Sequence, residues 1–148
     1  MSKEVPEILF VCTGNTCRSP MAEALWKAMG GRGASAGVSA WSGQPAAEFA
    51  QLVVTRYGGR LDSHRARDLD EIRDDPDFVL TMTESQRLQV MERRPDWNDR
   101  TFCLGDFAGE PGDIQDPAGH DRETYQAVAD RLHALLARLK ERLDTKLE

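Results

Sequence analysis

Ile8-Leu9-Phe10-Val11-Cys12-Thr13-Gly14-Asn15-Thr16-Cys17-Arg18-Ser19-Pro20 joins four consecutive apolar residues to a short polar loop that ends in proline. An apolar run of this length, bounded by a glycine-containing loop, is the mark of a strand buried on both faces. Proline suits the first turn of a helix, where its missing N–H has no intrahelical partner to lose. Met21, Ala24, Leu25 and Ala28 then recur at helical spacing until Gly30-Gly31 stops the run. The opening unit is strand, loop, helix.

Outward from this unit the alternation continues. Ala34 to Trp41 predicts a second strand followed by a loop, and Pro45 to Tyr57 a helix with Phe49, Leu52, Val53 and Tyr57 on one side. Leu69 to Arg73 fits a short helix, Phe78-Val79-Leu80 a third buried strand, and Glu84 to Arg93 a helix stopped near Pro95. Thr101 to Leu104 predicts a fourth strand. Val128, Leu132, Leu135, Leu136, Leu139 and Leu143 form an apolar stripe between Tyr125 and Lys146. A dimer seam would use such a stripe too, but covering a sheet face is its commoner use. With no repeat or long linker, residues 1–148 read as one α/β domain. The expected architecture is a three-layer αβα sandwich around a central, mostly parallel, four-stranded twisted sheet. Ligands in such folds bind beyond the carboxyl ends of the strands.

Composition narrows the function. The formal charge of −6 argues against a nucleic-acid binder, which needs a basic face to displace counterions. No apolar run approaches the ~20 residues needed to cross a bilayer. The three cysteines are an odd number, fitting reduced cytosolic thiols better than a disulfide framework, so a cytoplasmic location is expected.

The loop after the first strand carries the chemistry. It is a Cys-x5-Arg-Ser run between a strand and a helix. A thiolate needs positive potential to persist at neutral pH. The helix N-terminus, the fixed charge of Arg18 and a hydroxyl hydrogen bond from Ser19 would supply it. Backbone N–H groups from Thr13 to Cys17 can wrap a tetrahedral oxyanion as a nest. Gly14 is conformationally permissive there, and Asn15 tolerates positive φ and can brace the loop through its amide. Arg18 can hold two phosphate oxygens in a fork that lysine cannot copy. The bland alternative makes Cys12 a core cysteine and Arg18 a surface cation. A zinc site is disfavoured because four residues separate Cys12 from Cys17 and His64 has no second histidine at ligand spacing.

The run from Leu9 to Ala24 resembles the signature of the low-molecular-weight phosphotyrosine phosphatase family. Ser35-Ala36-Gly37, Ser63-His64-Arg65-Ala66-Arg67, Leu80-Thr81-Met82-Thr83-Glu84-Ser85 and Asp116-Pro117 follow in family order. The resemblance implies Cys12 as nucleophile, Arg18 as phosphate clamp, Ser19 as thiolate stabiliser and Asp116 as the general acid that later serves as base. By itself Asp116-Pro117 would mark only a turn. Ser35 and His64 resemble the family's residues that hydrogen-bond to Asn15; unaided, His64 would read as a half-exposed loop histidine. Trp41 matches an aromatic of the family's substrate cleft, with a packing role as the alternative. Cys17 resembles the family's second thiol, which can trap Cys12 as a disulfide under oxidation.

Two departures bear on the substrate. Thr16 stands where tyrosine-directed members carry a bulky aliphatic residue, and Thr13 with Thr16 resembles the bacterial branch that dephosphorylates arginine side chains. Ala118 follows Asp-Pro where tyrosine-directed members often place aromatics, and arginine-directed ones often do too. The reading favours protein phosphoarginine as substrate, with phosphotyrosine as the alternative. The implied partners are phosphorylated proteins, acted on by a monomer, with no metal or organic cofactor. An arsenate reductase would need two relay cysteines where only Cys103 remains, a phosphocysteine carrier for sugar transport has less need of Asp116, and a silent binding module has no use for an intact nucleophile.

Overall fold

The computed structural model describes residues 5–147, the last three by their backbone alone. Residues 1–4 and 148, included in the single-domain expectation, lie outside them, as does the side chain of Lys146. The elements are β1 (Glu7–Cys12), α1 (Arg18–Ala28), β2 (Arg32–Gly37), α2 (Glu48–Val54), β3 (Phe78–Thr81), α3 (Glu84–Arg93), β4 (Thr101–Cys103), α4 (Leu104–Ala108) and α5 (Arg122–Leu147). Three-residue 3₁₀ turns at Thr55–Tyr57 and Leu69–Glu71, and a longer one at Pro95–Arg100, complete the chain. The strands run in the order β2-β1-β3-β4, every pairing parallel.

The alternation of side chains along β1 explains the layers. Ile8, Phe10 and Cys12 enter one core with buried residues of α1, α2, α4 and α5; Leu9 and Val11 enter a second with Val90 of α3, Leu69, Ile72 and Trp97. A strand buried on both faces must be apolar throughout, which is why the run showed no alternation of polarity. The α5 stripe is buried inside the chain: Val128, Leu132, Leu135, Leu136 and Leu139 are in the first core and Leu143 packs against it. Each such leucine stabilises the fold by about 1.5–3 kcal/mol through burial. No helix of the described residues is long and apolar enough to cross a membrane.

Several boundaries depart from expectation for local reasons. Strand β2 starts earlier and stops at Gly37, because the segment after it turns to clasp the loop: Val38 N–H donates to Cys12 O at 3.0 Å and Ser39 N–H to Thr13 O at 2.9 Å. A Cβ on Gly37 would lie 2.4 Å from Thr13 O, so only glycine permits this approach. Helix α2 is shorter than Pro45 to Tyr57 and turned differently. It buries Ala50, Val53 and Val54, leaves Leu52 facing outward and sets the partly exposed Phe49 ring edge-on against Tyr125 of α5, since small side chains let it lie close to the core. The Leu69 helix is a single 3₁₀ turn. Helix α4 and the Pro95–Arg100 turn, which buries Trp97, were not expected; both are too short to show a period.

Candidate active site

Cys12 is the last residue of β1 and Arg18 the first of α1, so the loop between them crosses the carboxyl edge of the central strand. Cys12 is 2% exposed. Its Sγ lies 2.9 Å from Ser19 Oγ, in the first turn of α1. The Ser19 hydroxyl proton has two acceptors within reach, this sulfur and Ala36 O at 3.3 Å. A thiolate accepts that proton; a neutral thiol can instead donate to Ser19 Oγ, leaving the hydroxyl to Ala36.

Asn15 holds the loop in shape. It is wholly buried and, at φ 57°, the sole non-glycine residue with positive φ among the described residues. Its Nδ2 donates to Ser19 Oγ at 2.8 Å and to Ser35 Oγ at 2.9 Å, and its Oδ1 accepts from Arg67 N–H at 2.9 Å. His64 Nε2 lies 2.8 Å from Asn15 O; a carbonyl can only accept, so Nε2 carries the proton. Ser35 passes its own proton outward to Glu23 Oε1 at 2.7 Å. The amide is therefore saturated on both ends, which offsets the cost of a conformation that L-residues rarely adopt.

Arg18 is 5% exposed, yet its charge is not isolated. Nη1 donates to Ile114 O at 3.0 Å, and Nη2 lies 3.7 Å from Asp116 Oδ2. That carboxylate is half exposed, and its Oδ1 accepts from Ala118 N–H at 3.0 Å, an Asx turn that aims the side chain back toward the loop. Thr16 is half-buried, and its carbonyl accepts from Ala47 N–H at 2.9 Å. Trp41 is 78% exposed, which removes its packing role. Ala118 is exposed as well. Cys17 is buried with Sγ 3.3 Å from Tyr125 Oη, and burial pushes its thiol up from the ordinary range. Cys103 lies apart at the end of β4, beside Thr81 and Glu84; burial, foremost, pushes it up to about 11.

A family profile described as low molecular weight phosphotyrosine protein phosphatase matches residues 7–148. The chain belongs to this family. It is 43% identical over 144 residues to the protein-arginine-phosphatase of Geobacillus stearothermophilus, covering 94% of this chain and 97% of that one. The solved structure of the YwlE arginine phosphatase from that organism superposes with a TM-score of 0.89, covering 95% of this chain and 94% of that one. The low molecular weight protein-tyrosine-phosphatase PtpB of Staphylococcus haemolyticus is 35% identical over 135 residues, covering 90% of this chain and 96% of that one.

The structure thus gathers Cys12, Asn15, Arg18, Ser19, Ser35, His64 and Asp116 at one place. Other contributors went unread. Ile114 offers Arg18 only a carbonyl, which has no sequence signature. Glu23 lay inside the quoted family run without a role, and Tyr125 read only as the start of the stripe. Gln86 was legible in principle: Thr83-x-x-Gln86 is a capping box, and both of its reciprocal bonds form at the start of α3. Among the described residues no group of three or more histidine, cysteine, aspartate or glutamate side chains could hold a metal ion.

Proposed function

We propose that this member of the family is a cysteine-dependent protein phosphatase whose substrate is phosphoarginine. Cys12 Sγ attacks phosphorus as the thiolate, in line with the leaving nitrogen. The S–P bond forms as the P–N bond breaks, and Asp116 gives its proton to the departing guanidine nitrogen, which keeps the bonding pair and leaves as part of a guanidinium. Backbone N–H groups of the loop and the Arg18 fork hold the equatorial oxygens, so the developing charge meets dipoles already in place. In the second half a water attacks the phosphocysteine, Asp116 takes its proton, and the S–P bond breaks to return Cys12. The Ser19 hydroxyl supports the ionised sulfur at both stages.

The observation that carries the phosphatase reading is the pairing of a buried Cys12–Ser19–Asn15 relay with an Arg18 guanidinium that has a carboxylate within 3.7 Å. Nucleophile, clamp and acid share one mouth. The substrate assignment is supported by Thr16, a small hydroxyl side chain in the loop, by Ala118, which offers no ring, and by the relative at 43% identity, a protein-arginine-phosphatase. A guanidinium presents N–H donors along its edge, and a threonine oxygen can accept from them where an aliphatic side chain cannot.

Phosphotyrosine is the second reading, favoured by the exposed ring of Trp41, against which a phenyl leaving group could stack for about 0.5–1.5 kcal/mol. The deciding experiment compares kcat/KM on matched phosphoarginine and phosphotyrosine peptides, before and after Thr16→Ile. The arginine peptide should be preferred, and the exchange should move the ratio toward tyrosine. A preference for phosphotyrosine in the unaltered protein, or a ratio unmoved by Thr16→Ile, refutes the substrate assignment.

A further inference from the structure

Gln86 is 2% exposed, three residues into α3, and its amide is held in one orientation by its neighbours. Its Oε1 accepts from Met82 N–H and Thr83 N–H, both at 3.0 Å. Two backbone donors can be met only by the oxygen, so the amide cannot be flipped. Nε2 is thereby forced to face the phosphate loop, where it donates to Thr13 Oγ1 at 3.1 Å. No other hydrogen bond of the Thr13 hydroxyl occurs among the described residues, and Thr13 is exposed next to Cys12. A hydroxyl that receives an N–H on one lone pair must direct its own proton elsewhere. Here the side left open is the exposed one, beside Cys12.

We propose that Gln86 is a positioning residue that fixes the polarity of the Thr13 hydroxyl, so that its proton is held free to donate to an oxygen of the bound phosphoryl group. The inference deepens the phosphatase reading and rests on it. The same amide contributes to a junction between layers. Met82 N–H also reaches Val11 O of β1 at 3.1 Å, and Met82 O accepts from Ile114 N–H at 2.9 Å, the residue whose carbonyl holds Arg18. Gln86 thus stands where the nucleophile's strand, the clamp's support and α3 meet, and the N–H it donates to Thr13 is the polar group it extends toward the loop.

The test is Gln86→Glu. A carboxylate oxygen keeps both backbone N–H groups satisfied, but its second oxygen now accepts from Thr13, turning the hydroxyl proton away from the mouth. With inorganic phosphate as the probe and titration calorimetry as the assay, the exchange should weaken binding in the Thr13 protein roughly tenfold more than in a Thr13→Val background, where only the added charge acts. Thr13→Val alone should weaken phosphate binding by about tenfold, and Thr13→Ser should restore it. Equal losses in the two backgrounds, or a Thr13→Val protein that binds phosphate like the wild type, overturn the inference; the second comparison stands even if Gln86→Glu does not fold. Failure of the unaltered protein to hydrolyse either phosphopeptide refutes the phosphatase reading instead, while the phosphate titrations still decide the role of Gln86. A wild type that binds no phosphate overturns both.

Discussion

Replacing Asn15 by alanine separates the two ways in which this residue holds the loop. The side chain donates twice and accepts once, to Ser19, Ser35 and Arg67, and all three partners are removed from bulk water to different degrees. Removing it strands the Arg67 N–H without its acceptor and leaves two serine hydroxyls each short of a donor. A buried group left unpaired costs about 1–3 kcal/mol, although the serines retain Glu23, Ala36 and Cys12 as partners. Asparagine tolerates φ 57° better than alanine because its short polar side chain hydrogen-bonds locally, so the exchange adds about 1 kcal/mol of backbone cost. The expected destabilisation of Asn15→Ala is therefore about 2–4 kcal/mol, a large part of the ~5–15 kcal/mol that stabilises a typical domain.

Asn15→Gly removes the same hydrogen bonds but adopts positive φ freely. Its expected cost is lower than that of alanine by about 1 kcal/mol, despite the extra entropy glycine brings to the unfolded chain. Urea denaturation followed by circular dichroism measures both, provided the slope against denaturant is unchanged. A loss below about 1 kcal/mol for Asn15→Ala contradicts the hydrogen-bond accounting. A glycine variant less stable than the alanine one contradicts the backbone argument. Both variants should lose phosphatase activity by more than their folded fraction explains, because Ser19 loses the donor that orients it toward Cys12.

Asp116→Asn should lower kcat by about 10²–10⁴, with phosphocysteine accumulating under acid quench, since the amide can neither give nor take the proton; an unchanged kcat removes Asp116 from the mechanism. Peroxide-treated protein should recover activity with a thiol reductant through a Cys12–Cys17 disulfide, and a Cys17→Ser variant that recovers equally well excludes that lock. Because burial raises the Cys17 thiol, lock formation should quicken as pH rises above neutrality. The Arg87 fork, above all, lowers Glu84 from 4.5 to about 2. A depressed carboxylate contributes stability above its unfolded value and loses it as pH falls through the folded one. The stability difference between wild type and Arg87→Met should thus shrink between pH 4.5 and about 2, by a small amount for so exposed a pair. A difference independent of pH over that window refutes the assignment.

What could be read in advance follows the range of the forces involved. The buried central strand and the stripe of α5 declare themselves because burial on two faces, or on one helical face, writes a pattern into consecutive residues. The outward turn of Leu52 could not be read, because the face of a short helix is chosen by neighbours distant in sequence, here the close-packed side of Ala50 and Val53. The end of β2 escaped for the same reason: Gly37 stops the strand because a loop more than twenty residues earlier lies against it. At the site, chemistry carried by side-chain identity was legible in Cys12, Arg18 and Ser19. Chemistry carried by a carbonyl, such as that of Ile114 on Arg18, was not.

The polar side chains that brace the loop are among the least exposed of the site. Asn15, Ser19 and Ser35 lie at 2% or less and Arg18 at 5%, in surroundings where an unmet donor or acceptor is costly. Among the described residues, the one buried side-chain polar atom without a partner is Trp26 Nε1, and it is not part of this network. Each site group therefore has its position dictated by a second group that is itself held: Cys12 by Ser19, Ser19 by Asn15, Asn15 by Ser35 and Arg67, Ser35 by Glu23. Such a chain leaves the dipoles little freedom to reorganise when charge develops on a phosphoryl group, and that lack of freedom is what makes fixed donors worth more here than in water.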